Sequence, residues 1–220
     1  MLFSMVIIDY KKKFHKQIIL ACVKALREGK IIAYPTDTSY GLAADAENIG
    51  AIAKLYRIKG RNFNKPIHVV VPNEQYAKKL VKWNKVASNL AKKFWPGAIT
   101  LVLELKAKGQ GYKLLSAGNG TIGLRMPNNL IALDIVKYLK HPITATSANV
   151  SGQPDIYSVK EMERQFSARG KKNKNYQPDL IINAGKLARI KPSTVIKIDN
   201  NGIQILRKGP ITSKQIFHVA

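Results

Sequence analysis

Residues 59–71 read KGRNFNKPIHVVV: three cations and a histidine stand between the end of one helical pattern and the start of an apolar strand. Upstream, AENIGAIAKLYRIKG (46–60) sets Ile49, Ile52, Ala53 and Tyr56 at the spacing that turns one helix face inward. Downstream, IHVVV is short, apolar and β-branched. A helix that feeds a strand through a charged turn is the pattern of an α/β sheet, so this stretch raises the question of fold and function together. Lys59, Arg61 and Lys65 either belong to a basic surface or converge on an anion.

The same alternation extends outward. Phe14, Ile18, Cys22 and Leu26, widened by Ile19 and Ala25, predict a helix over 12–28 that stops at Gly29. KIIAYP (30–35), ITLVLEL (99–105), TIGLRM (121–126), PITATSA (142–148), DLIINAG (179–185) and STVIKID (193–199) read as strands. Helical patterns lie at 74–94, 129–140 and 158–168, the last opened by Ser158 and Glu161 in capping-box spacing. A hairpin is expected around Asn200, Asn201 and Gly202. Two stretches, 106–120 and 167–179, are polar, rich in glycine or lysine, and read as solvated loops. The expectation is one α/β domain over 1–220, a twisted open mixed sheet with flanking helices.

Lys and Arg number 37 against 13 Asp and Glu, a formal charge of +24, well beyond what solubility requires. Partners rich in phosphate follow from this, although isolated lysines such as Lys54, Lys106, Lys137 and Lys214 also suit a merely lysine-rich surface. Cys22 is the single cysteine, which excludes an intramolecular disulfide and a cysteine-rich zinc site and fits a reducing cytoplasm. The opening MLFSMVIIDYKKKF reverses the order of a secretory signal, and no run approaches the ~18 apolar residues of a membrane span, so no membrane partner is expected.

Five stretches carry polar residues where strands meet turns, the place where α/β sheets bind ligands: YPTDTSYGL (34–42), KGRNFNKP (59–66), GLRMP (123–127), TATSANVSGQP (144–154) and PSTVIKID (192–199). Each has a plainer explanation. Thr36, Asp37 and Thr38 suit an N-cap and turn, and Lys59 and Arg61 suit the negative end of the preceding helix. Arg125 sits inside an apolar strand, on the face of Gly123 and Thr121, and requires either a paired acid such as Asp37 or Asp134, or a ligand. Thr144 to Ser151 form a hydroxyl- and amide-rich loop whose backbone could approach phosphate. There is no GxxxxGK[ST], no GxGxxG after a strand, no GxSxG and no HExxH, which argues against a P-loop kinase, a Rossmann dehydrogenase, a serine hydrolase of that type and a zincin. His15, His68, His141 and His218 lack metal-ligand spacing; His68 suits either a pocket wall or a hydrogen-bonded core position.

YPTDTSYGLAADA, KGRNFNKPI, WPGAITLVL, TIGLRMP, TSANVSGQP and PSTVIKID followed by ILRKGPI, in this order from Lys30 to Pro210, resemble the YrdC-like family of threonylcarbamoyl-AMP synthases. The resemblance implies a basic concave face on which L-threonine, bicarbonate or CO2, and ATP condense to threonylcarbamoyl-AMP and pyrophosphate. It assigns Lys59, Arg61, Ser147, Asn149 and Arg207 to the nucleotide, with Lys59 and Arg61 also catalytic, and Thr38, Arg125 and Ser193 to threonine. His68 joins the threonine pocket through a departure: some members have histidine at the position of Val70, two residues along the same face. Asn62 departs too, replacing a common proline. The ending at Ala220 resembles the short form that lacks a further domain.

The chemistry fits these residue types, because an anionic carbamate and ATP meet only where cations offset their repulsion. No general base is evident, and none is required where positioning and charge carry the transfer. Mg2+ is expected to ride on ATP, with Asp37 either near it or acting as an N-cap. The same basic surface also suits tRNA or double-stranded RNA, the resemblance implies downstream tRNA threonylcarbamoyl-transferase proteins as partners, and a paralogue of different activity shares such a scaffold.

Overall fold

The computed structural model describes residues 5–172 and 176–220. Among these, one sheet runs in the order β1-β8-β2-β3-β7-β4-β6-β5-β9-β10. The strands are β1 (Val6–Asp9), β2 (Ile32–Pro35), β3 (Tyr40–Ala43), β4 (His68–Val70), β5 (Ile99–Glu104), β6 (Thr121–Arg125), β7 (Ile143–Ser147), β8 (Leu180–Asn183), β9 (Thr194–Asp199) and β10 (Gly202–Arg207). Parallel pairs (β1 with β8, β2 with β8, β4 with β6, β5 with β9) mix with antiparallel ones, as expected of an open mixed sheet.

Strand alternation splits the core in two. On one face α1 (His15–Arg27) and α6 (Leu130–Leu139) bury Ile19, Cys22, Leu26, Ile135 and Val136 against Ile32, Tyr34 and Ile182. Fully burying each such side chain contributes about 1.5–3 kcal/mol. Burial pushes the Cys22 thiol up to about 12, so this cysteine acts as a small hydrophobe rather than a nucleophile. The other face is covered by α2 (Ile49–Lys59), α3 (Glu74–Leu80), α4 (Lys85–Phe94), α5 (Gln110–Leu115), α7 (Val159–Lys172) and α8 (Ser213–Val219). Because α1 and α6 sit over β8, β2, β3 and β7 and reach β4 only at Val70, His68 of β4 and the polar side chains on the same face of β6 and β5 are left facing a cleft.

Several expectations require correction. The stretch 106–120 is not a free loop: α5 lies within it and buries Tyr112 and Leu115, which glycine and lysine neighbours concealed. Helix α7 continues through Lys172 into the stretch read as a loop, of which residues 173–175 lie outside the described residues. The single pattern at 74–94 is two helices, since Asn84 caps a second start by accepting from the amide of Ala87. Ile49 and Phe14 are exposed rather than inward. At the start of α7 Ser158 accepts from the Glu161 amide, but Glu161 reaches back to Tyr157 rather than to Ser158, so the capping box is shifted by one residue.

Candidate active site

The cleft has a volume of about 170 Å3 and opens to solvent. Its walls come from distant segments: the β2–β3 turn, the start of β4, the ends of β6 and β7, the entry to β9 and the end of β10. Thr38, Arg61, His68, Arg125, Ser147, Ser193 and Arg207 all line it. Lys59 and Asn149 do not; they stand one layer behind.

The β2–β3 turn is organised by Thr36, whose hydroxyl accepts from the amides of Thr38 (3.1 Å) and Ser39 (3.3 Å) and donates to the Ser39 carbonyl (2.7 Å). The turn reading is thereby fulfilled, whereas the N-cap reading is not, since a strand rather than a helix follows; the turn delivers Thr38 to the cleft and holds Asp37 beside it. Arg125 Nη2 donates to Asp37 Oδ1 at 2.5 Å and Nη1 to Thr38 Oγ1 at 3.3 Å. The expected acid partner is thus Asp37; Asp134 is engaged elsewhere, accepting from His15 at 2.8 Å. Burial works against the Arg125 charge and Asp37 offsets it. Its buried Nε has no partner among the described residues.

Opposite the turn, Ser193 and Arg207 are fastened together. Ser193 Oγ meets Thr100 Oγ1 at 2.9 Å, while Arg207 donates from Nη2 to Ser193 Oγ (3.0 Å) and from Nε to the Ser193 carbonyl (2.9 Å). This clasp needs β10 to leave close to the β9 entry, and Gly209 allows it: a Cβ there would lie 2.3 Å from the Pro192 carbonyl oxygen and 2.4 Å from the Thr194 nitrogen. Thr100 escaped the sequence reading, although a hydroxyl on the period-two face of an apolar strand was a usable signal.

His68 forms the floor. It neighbours Gly123 across the parallel β4–β6 pair, where a Cβ on Gly123 would sit 2.0 Å from the imidazole Nδ1. Nδ1 is buried without a partner among the described residues. Burial first, then Arg207, Arg61 and Arg125, pull its pKa down to about 4, so the ring is neutral at physiological pH.

The three cations of 59–65 do not converge. Lys59, 2% exposed, turns inward, where Nζ donates to the carbonyls of Ser147 (2.5 Å) and Asn149 (2.8 Å) and to Asn149 Oδ1 (3.2 Å). Its own carbonyl accepts from the Ser151 amide at 2.8 Å, so one residue grips the 147–151 loop at both ends. Burial and Arg61 pull the Lys59 pKa down to about 7, with Asp155 opposing. Arg61 reaches the cleft rim, its guanidinium donating to the carbonyls of Lys65 (3.3 Å) and Pro66 (2.9 Å). Lys65 is exposed and contributes its backbone. Asn62 closes the turn by accepting from the Asn64 amide at 2.8 Å, which supplies with a side chain the stiffness a proline would give.

The model of the Sua5/YciO/YrdC family, described as Telomere recombination, matches residues 24–209. The chain belongs to that family. A Bacillus subtilis threonylcarbamoyl-AMP synthase is 33% identical over 192 residues, covering 87% of this chain and 53% of its own length. A Methanocaldococcus jannaschii protein that carries the same name provisionally is 33% identical over 212 residues, 96% of this chain and 94% of its own. Among solved structures, Pyrococcus abyssi Sua5 complexed with L-threonine superposes with a TM-score of 0.85 at 30% identity, over 98% of this chain and 60% of that one. Escherichia coli YciO gives 0.78 at 26% identity over 97% and 98%. The chain therefore spans a little over half of the Bacillus and Pyrococcus family members and nearly all of the other two. The sheet order, with its ten strands and flanking helices, is this family's fold.

Proposed function

We propose that this chain is an L-threonylcarbamoyl-AMP synthase, a nucleotidyltransferase. The observation that carries the reading is the convergence of Thr38, Arg61, Arg125, Ser147, Ser193 and Arg207 from separate loops on one cleft; the names of its family members support it. Threonine adds CO2, supplied as such or from bicarbonate, at its amine to give a carbamate. A carbamate oxygen then attacks the α-phosphorus of ATP, the bond to the bridging oxygen breaks, and pyrophosphate leaves.

In this reading the Arg125 guanidinium faces the threonine carboxylate, while Thr38 and Ser193 set the position of the amino acid. Arg61, Ser147 and Arg207 meet the nucleotide, and Lys59 and Asn149 shape the loop beneath it. The guanidinium charges offset repulsion between two anionic reactants and stabilise charge gathering at phosphorus. His68, being neutral, contributes a hydrogen-bonding group near threonine rather than charge. Mg2+ enters as the counter-ion of the ATP phosphates: among the described residues no three His, Cys, Asp or Glu side chains gather into a resident site, and Asp37 is committed to Arg125.

Pyrophosphate release from ATP, with threonine and bicarbonate omitted in turn, tests the proposal. Release that requires both is expected, and release indifferent to both would overturn it. The product serves tRNA threonylcarbamoyladenosine formation in the cytoplasm, passed to threonylcarbamoyl-transferase proteins. The charge of +24 supports contact with tRNA or double-stranded RNA, which a steep fall of RNA affinity with salt would reveal. No helix among the described residues is long and apolar enough to cross a membrane.

A further inference from the structure

Asp155 is the one carboxylate among the described residues that line the cleft, and it stands in company with Arg61, Arg125 and Arg207. In such a field an aspartate is expected to collapse onto a guanidinium, as Asp37 does with Arg125. Asp155 has no hydrogen bond or ion pair within the described residues, although its charge acts on Lys59 and Arg207.

The loop around it explains why it stays apart. On one side the Asn149 side-chain amide donates to the Gln153 carbonyl at 2.5 Å and Gln153 donates to the Val150 carbonyl at 2.9 Å. Gln165 then donates to the Pro154 carbonyl at 3.0 Å and accepts from the Val150 amide at 3.1 Å. On the other side the Tyr157 amide donates to Glu161 at 2.6 Å. Pro154 fixes its own φ immediately before the aspartate. A carboxylate held in place, acceptor-only and without a protein donor, is built to receive donors from a ligand.

We infer that Asp155 is a specificity-determining residue that accepts hydrogen bonds from the vicinal ribose hydroxyls of the nucleotide. The inference rests on the synthase reading, which supplies a ribonucleotide. It follows from position: Asp155 shares the 147–157 segment with Ser147, and its charge acts on Arg207 and Lys59. The ribose is the donor-bearing group next to the phosphates, and two carboxylate oxygens match two neighbouring hydroxyls. The amino acid, which also carries donors, is assigned to Arg125 and Thr38, which bond to each other and not to Asp155.

The test is calorimetric binding of ATP, 2′-deoxy-ATP, 3′-deoxy-ATP and inosine triphosphate to the full chain, in the wild type, Asp155→Ala and Asp155→Asn. The wild type is expected to bind at least one deoxy nucleotide about tenfold more weakly than ATP, the worth of one charge-assisted hydrogen bond. In Asp155→Ala that ratio falls to about one, while Asp155→Asn, which keeps one acceptor oxygen, falls between. The ratio is the readout because removing a negative charge beside the phosphates shifts all affinities together. An unchanged ratio in Asp155→Ala overturns the inference, as does loss of ATP preference over inosine triphosphate with the deoxy ratio intact, which would place the adenine amino group there. Threonine- and bicarbonate-dependent pyrophosphate release alongside an unchanged ratio would sink the inference alone; a wild type that neither binds ATP nor releases pyrophosphate sinks the reading beneath it.

Discussion

Gly123 and His68 show how one missing Cβ shapes the site. At 2.0 Å from Nδ1, any side chain at 123 must push the imidazole out of its place on the cleft floor. Gly123→Ala is therefore expected to cost about 1–3 kcal/mol, the usual penalty of overpacking. The double variant with His68→Ala should recover most of it, and equilibrium denaturation of the four proteins measures the coupling. Additive losses would show that something other than this pair limits the position. His68 has a pH signature as well. Its folded pKa of about 4 lies below the ordinary 6.5, so between these values the unfolded chain binds the extra proton and stability rises with pH. The slope from this group approaches about 1.4 kcal/mol per pH unit inside that window and vanishes above it. Comparing unfolding at pH 4.5, 5.5 and 7.5 for the wild type and His68→Asn isolates the contribution; equal slopes in the two proteins would refute it. The sequence placed His68 correctly on the strand, but nothing local in it could say that the space over the ring comes from a glycine 55 positions later.

At the scale of elements, the loop between β7 and α7 hangs on Lys59. Three oxygens from residues 147 and 149 accept from Lys59 Nζ, so Lys59→Ala removes a donor from two carbonyls, leaving Asn149 Oδ1 only its bond from Ser147 Oγ, and frees the loop that bears Ser147 and Asp155. The expected cost is about 3 kcal/mol in denaturant unfolding, together with a large loss of ATP affinity. Arg61→Ala, whose side chain lies half-buried at the rim, should weaken ATP binding with stability within about 1 kcal/mol of the wild type. If Lys59→Ala were as stable as Arg61→Ala, the lysine would be a contact rather than a prop. The same contrast marks what could be read from sequence. Period-two and helical spacing revealed most of the strands, though not β1 or β3, and the main helices, because each follows from neighbours within a turn or two. The inward course of Lys59 depends on partners 88 and 90 residues away, so a cation beside a strand read as a ligand contact. Helix α5 was concealed for a different reason, since Gln110 to Leu115 has only Tyr112 and Leu115 as buried side chains of any size and is flanked by glycines. Strand β3 lay hidden inside a stretch whose Thr and Asp drew attention to its turn.

For the whole molecule, the charge of +24 sets attraction for anions against self-repulsion, and salt separates the two. About half of the ion pairs among the described residues, such as Lys82 with Glu104 and Lys78 with Glu74, are a third or more exposed on both sides and worth about 0–1 kcal/mol each, so screening them costs little. Among the described residues unpaired lysines outnumber them, and their mutual repulsion weakens as the Debye length shrinks from about 30 Å at 0.01 M to about 8 Å at 0.15 M. Sodium chloride is therefore expected to raise the melting temperature across that range by a few degrees, chloride being preferable to sulfate, which also stabilises through exclusion from the protein surface. In the proposed reading ATP affinity should move the opposite way and fall as salt rises, because the guanidiniums of Arg61 and Arg207 would act on a polyanion in a solvent-open cleft. Adenosine, which lacks the phosphates, should show no such dependence. Thermal melts and titration calorimetry over the same salt series check both arms. A melting temperature that fell with salt would mean that the ion pairs, not the excess cations, dominate the electrostatic free energy of this fold.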